Sequence, residues 1–130
     1  MIWFVIAVGG ALGSVARYAI GLAFSHERAQ LPYATLAINV AGSCLLGFLA
    51  RWFVGVDASP AMRLGLMVGV CGGFTTFSAF SLEAMQLIET GALVRAVLYA
   101  ALSVVICVAA TFAGVAIARA ALAAAAGTAH

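Results

Sequence analysis

The chain has 130 residues, of which 66% are apolar and 8% charged, with a mean hydropathy of +1.20. No soluble domain of this length hides so much apolar surface, whereas a bilayer accepts it, so the sequence reads as an integral membrane protein. The net charge of +2 comes from arginines scattered singly, with no lysine, which excludes the clustered basic face that nucleic-acid binding requires.

Apolar stretches run from about 2 to 24, 33 to 55, 62 to 88 and 94 to 120, each longer than the roughly 20 residues needed to span a hydrocarbon core of about 30 Å. The prediction is an all-α protein, one domain over 1–130 with four transmembrane helices. The N-terminus, Met1-Ile2-Trp3-Phe4, lacks the basic region of a signal peptide and is expected to stay in the mature protein. Links at 25–32, 55–60 and 89–91 are short, and both prolines, Pro32 and Pro60, fall in or beside them, where a helix break costs nothing. Cys44, Cys71 and Cys107 sit in apolar segments without a C-x-x-C pair or neighbouring histidines, and read as small packing residues. The Ala-rich tail from Ala120 to Gly127 is low in complexity. With no soluble domain left over, an enzyme site has no place outside the bilayer, and none is expected.

The third stretch carries Gly72-Gly73-Phe74-Thr75-Thr76-Phe77-Ser78-Ala79-Phe80-Ser81. Each glycine weakens a helix by roughly 1 kcal/mol and the threonines add β-branched stiffness, so a helix break is predicted near 72–76. Irregular backbone at bilayer depth leaves polar groups unpaired, and survives only where it is buried in protein or faces an ion or water. This segment is the first candidate for the functional site. Gly9-x3-Gly13, Gly65-x3-Gly69 and Gly69-x3-Gly73 place small residues one turn apart, which favours close helix packing and fits an oligomer.

Arginines divide equally between the two sides of a four-span chain. Arg51, Arg63 and Arg119 fall on one side, and Arg17, Arg28 and Arg95 on the other. The positive-inside rule therefore gives no preference, and two oppositely oriented copies would form an antiparallel homodimer resembling the inverted repeats of larger transporters. The alternative is a single orientation set by the first helix or the terminal amine.

Polar residues inside the spans complete the reading. Arg17 is near enough to a helix end to snorkel as an anchor, or deep enough to contact an ion. Asn39 is either interhelical glue or a pathway residue. Glu83, the one acid placed within a span, bears on an ion path or reaches the interface. In the fourth helix Tyr99, Ser103, Cys107 and Thr111 recur every four residues as a polar stripe, whose hydroxyls either bond back to their own helix or hydrate a moving ion.

Taken together, Gly9-Gly10-x2-Gly13-x3-Arg17-Tyr18, Asn39-x2-Gly42 and Gly72-Gly73-x-Thr75-Thr76-Phe77-Ser78-x-Phe80 resemble the bacterial fluoride channels called Fluc or CrcB, over essentially the whole chain and in order. The resemblance implies a dual-topology antiparallel homodimer in the bacterial inner membrane, with two narrow pores and a structural, non-transported sodium ion on the dimer axis. It places that sodium on backbone carbonyls of Gly72 and Thr75, and lines the fluoride path with Phe77, Phe80, Asn39, Ser78 and the stripe Tyr99, Ser103, Cys107 and Thr111. Cys107 departs from the family pattern, which has a hydroxyl there; a thiol is a weaker donor. Two rivals remain. A small multidrug or cation antiporter shares the four-helix, dual-topology plan but needs a titratable intramembrane carboxylate; the first helix has none, and Glu83 is the one candidate. A helical assembly factor explains the composition but gives no use for a helix break.

Overall fold

The computed structural model describes residues 1–24 and 31–127, and every element among them is helical. Most of the first predicted link, including Arg28, lies outside the described residues. In chain order the elements are α1 (Ile2–Phe24), α2 (Tyr33–Gly55), α3 (Pro60–Leu64), a π-helical segment (Gly65–Cys71), α4 (Gly72–Phe74), α5 (Phe77–Glu89) and α6 (Leu93–Gly127). Four helices are long and apolar enough to cross a membrane: α1, α2, the run Pro60–Glu89 and α6. Of α1, Gly9 and Gly13 are buried against the other helices.

Local chemistry sets the ends. The Ser59 hydroxyl accepts the Met62 N–H at 3.2 Å, with Pro60 at the first helical position of α3. After α5, Gly91 adopts φ 77°, while Ala92 N–H reaches Leu87 O at 2.8 Å and Gly91 N–H reaches Ile88 O at 2.9 Å, a glycine-dependent stop. The loop between α2 and α3 is pinned by Arg63, which donates from Nε to Ala58 O at 3.2 Å and lies over the Phe53 ring at 5.8 Å. α6 runs past the expected limit of 120 to Gly127. Its last turns pack: Leu122 sits against Gly55, where a Cβ would meet Leu122 Cδ1 at 2.7 Å.

Two close crossings hold the bundle. α2 lies against α6, where a Cβ on Gly47 would enter the Thr111 carbonyl and one on Gly114 the Cys44 carbonyl. α1 lies against the π-helical segment and α4, where Gly13 faces Val70 O and Gly73 faces Gly10 O just as tightly. The expected close packing at these glycine spacings is present within one chain: Gly9, Gly13, Gly65, Gly69 and Gly73 lie where α1 meets the third span, bringing backbones together where lipid offers no hydrophobic drive.

Gly72 and Gly73 are helical, and Gly72 has φ −66° and ψ −37°. The residues out of helical conformation are Thr75 (φ −81°, ψ 157°) and Thr76 (φ −150°, ψ 112°). Glycine propensity is therefore the wrong cause for the interruption. Gly73 is small because Gly10 lies on it, whereas the threonines tolerate extended backbone and satisfy it with their own hydroxyls: Thr75 Oγ1 donates to Cys71 O at 2.9 Å, and Thr76 Oγ1 accepts the Ala79 N–H at 3.1 Å, capping α5.

Candidate functional site

Thr75 and Thr76 are held in place by the neighbouring helices. Asn39 on α2 behaves as a piece of backbone: its Oδ1 accepts the Thr76 N–H at 2.8 Å and its Nδ2 donates to Thr76 O at 3.1 Å. Gly42, one turn on, carries no Cβ where the Thr75 methyl and the Phe74 ring pack. From α1, Arg17 Nε donates to Gly73 O at 3.2 Å and Ser14 Oγ to the same oxygen at 3.4 Å. Arg17 is half-buried and bonded through Nε to the third span, a contact that neither the anchor nor the ion-contact reading of the sequence named.

Beside the extended pair runs a groove of about 370 Å³, walled by Asn39 and Ser43 from α2, by Thr75, Thr76, Phe77 and Phe80, and by Ser103 and Cys107 from α6. Phe77 is 78% exposed, and its ring centroid lies 5.3 Å from that of Phe80. Phe80 in turn lies 5.2 Å from Tyr99, tilted by 47°. In such tilted pairs the positive edge of one ring approaches the negative face of its neighbour.

The α6 stripe is divided among three surroundings. Ser103 and Cys107 reach the groove wall; Ser103 is 8% exposed and its Oγ has no hydrogen-bond partner. Tyr99 is buried at 1% exposure and donates its hydroxyl to Glu83 Oε2 at 2.7 Å. Thr111 turns back to Cys107 O at 3.0 Å. Neither Tyr99 nor Thr111 lines the groove, and Ser78 is exposed with its Oγ 3.2 Å from Thr76 Oγ1. Thr35 on α2, absent from the sequence reading, donates to the other oxygen of Glu83 at 2.6 Å. Glu83 thus joins α2, α5 and α6, its two oxygens taken by hydroxyls. The signal for Thr35 was its place four residues before Asn39, on the same helix face. Ser14, three before Arg17, is the other omission.

Among the described residues no three His, Cys, Asp or Glu side chains cluster to hold a metal. Backbone oxygen is a different matter. In an unbroken helix the Gly72 carbonyl takes the Thr76 N–H and the Thr75 carbonyl the Ala79 N–H; here the first goes to Asn39 and the second to the Thr76 hydroxyl. Both carbonyls lose their helical donors, and Gly72 is exposed with open space around it.

A family model described as CrcB-like protein, Camphor Resistance (CrcB), matches residues 4–115. A Rhizobium meliloti (strain 1021) protein named fluoride-specific ion channel FluC is 48% identical over 118 residues, covering 88% of this chain and 94% of its own. A Caulobacter sp. (strain K31) protein of the same name is 49% identical over 117 residues, covering 88% and 91%. One from Nitrobacter winogradskyi, again of that name, is 48% identical over 116 residues, covering 88% and 92%.

Proposed function

The chain belongs to the CrcB-like family, and from that membership we propose that it is a fluoride channel releasing fluoride passively from the cytoplasm of a bacterium. The observation that carries this reading is the groove in which Phe77 and Phe80, 5.3 Å apart, stand beside the pinned pair Thr75–Thr76 and the unpartnered Ser103 hydroxyl. Fluoride would exchange its water shell for hydroxyl donors and the positive ring edges. A monovalent anion gains about 2.3 kcal/mol per 100 mV on leaving a negative interior, so no energy source is needed. Selectivity over chloride would come from narrowness and donor density, not from a ring of cations.

The working unit in this reading is an antiparallel homodimer of dual topology in the inner membrane, supported by the equal division of arginines in the sequence. The Gly72 and Thr75 carbonyls of both copies would hold a structural sodium ion, which supplies positive charge to stabilise the interrupted backbone at bilayer depth. The antiporter alternative loses ground at Glu83, whose two oxygens already accept hydroxyl donors.

Purified protein in sodium-loaded liposomes is expected to release fluoride electrogenically, read with a fluoride electrode, and to release chloride far more slowly. Efflux no faster than from empty liposomes defeats the channel reading, and proton-coupled uptake of an organic cation would favour the antiporter. Phe77→Ile should lower fluoride flux; an unchanged rate would remove the ring edge from the path.

A further inference from the structure

α4 ends at Phe74, and the helical run that it closes turns its last carbonyls toward the extended pair. A helix C-terminus leaves carbonyls without intrahelical donors and carries about half a negative charge. Cys71 O receives both the N–H and the hydroxyl of Thr75, at 3.0 and 2.9 Å. Gly73 O would take the Phe77 N–H if the helix continued, but Phe77 opens α5. The donors that reach Gly73 O are Arg17 Nε and the Ser14 hydroxyl, both from α1 and 56 and 59 residues away in the chain. They arrive because α1 approaches so closely at Gly10 and Gly13, whose missing Cβ atoms leave room for the backbone around Gly73.

We infer that Arg17 is a positioning residue of the channel: its Nε caps the end of α4 at Gly73 O and so fixes where the extended pair begins and where Phe77 is presented. Asn39 grips Thr76 from α2, and Arg17 grips Gly73 from α1. The two grips, three hydrogen bonds in all, bracket the residues between them. Without Arg17 the Gly73 carbonyl keeps only the longer bond from the neutral Ser14 hydroxyl, and the α1 side of the grip is weakened. A cation at this end of a helix also has the favourable sign for the helix dipole. The inference rests on the channel reading for its functional consequence, though not for the cap itself.

Side-chain geometry supplies the test. Gln Nε2 stands the same number of bonds from Cα as Arg Nε, so Arg17→Gln keeps a neutral donor in place while removing the charge; Arg17→Met keeps length and removes the donor; Arg17→Lys keeps the charge. All three would be purified, checked for wild-type elution, and reconstituted for fluoride and chloride flux. Losing a charge-assisted bond to a half-buried carbonyl should lower fluoride flux about tenfold in Arg17→Met, with reduced fluoride-over-chloride discrimination, while Arg17→Gln stays within about threefold of wild type. Wild-type flux in Arg17→Met overturns the inference. So does an Arg17→Gln protein that elutes as wild type yet is as impaired as Arg17→Met, which would assign the role to charge alone. If Arg17→Met does not elute as a folded species, retained flux in Arg17→Gln supports the cap and lost flux overturns it. Should wild type itself conduct no fluoride, the channel reading fails separately, and thermal unfolding of the same variants still decides the cap: Arg17→Gln should melt above Arg17→Met, and equal midpoints overturn it.

Discussion

Asn39→Leu keeps side-chain size and removes both hydrogen bonds to Thr76, the 2.8 Å bond to its N–H and the 3.1 Å bond to its O. Leaving a buried backbone donor and acceptor unpaired costs about 1–3 kcal/mol each, so full burial sets an upper limit of about 6 kcal/mol. Interhelical hydrogen bonds in bilayers are worth less, about 0.6 to 2 kcal/mol apiece, because the unfolded reference also finds partners. Thr76 is only partly buried, on the wall of a groove, so the lower range applies and the expected loss is about 2–3 kcal/mol. For a chain of this size that corresponds to a fall of roughly 6–12 °C in the unfolding midpoint, read by circular dichroism in detergent. Asn39→Asp should fall between, since it keeps an acceptor for the Thr76 N–H but sets a second oxygen against Thr76 O. Flux should follow the same order. An Asn39→Leu protein melting within about 1 °C of wild type would refute the claim that Asn39 holds the extended pair.

Tyr99→Phe keeps the ring against Phe80 and removes one of two donors to Glu83; a loss of about 0.5–1.5 kcal/mol is expected, and the double variant with Thr35→Val should be non-additive because both hydroxyls share one carboxylate. Additive midpoints in a double-mutant cycle would argue against a joint Glu83 clasp. Gly47→Ala drives a Cβ into the Thr111 carbonyl and should destabilise by about 1–3 kcal/mol, whereas Gly21→Ala, with nothing within 4 Å, should be neutral or slightly stabilising; equal midpoints for the two would refute the close α2–α6 crossing. Cys107→Ser puts a hydroxyl where a thiol now lines the groove and should raise fluoride flux in the liposome assay if donor strength limits hydration there; a lower rate would count against that role.

What was legible in the sequence depended on how local its cause was. Bilayer thickness imposes span length directly, so apolar runs and turn residues were enough to place the helices. The interruption was legible as a region but not as a cause. Propensity is a property of single residues and pointed to Gly72, Gly73 and the two threonines alike; that the threonines alone leave the helix depends on which neighbouring helix supplies their partners. Arg17 looked like an interface residue because its partner, Gly73 O, is 56 residues away. The α6 stripe was legible as a period but not as a single environment. Residues four apart on an α-helix drift by roughly 40° at each step, so Tyr99 turns to Glu83, Ser103 and Cys107 to the groove, and Thr111 back to its own helix. One period in the sequence became three environments.

The π-helical segment Gly65–Cys71 gives the third span an unequal tolerance to changes of length. Eight residues of α-helix turn through roughly 800°, which would leave Gly73 about 80° out of line with Gly65. A wide turn that absorbs one residue takes back roughly 100° and brings the two to within about 20° of each other, on the line where Val5 and Gly10 of α1 meet them. The span therefore carries a spare residue. Removing one from 66–68 would let the segment close into ordinary α-helix with Gly73 still under Gly10, and Thr75 and Thr76 still facing Asn39. Inserting one has no second wide turn to absorb it, and would swing the threonines away from both of their anchors.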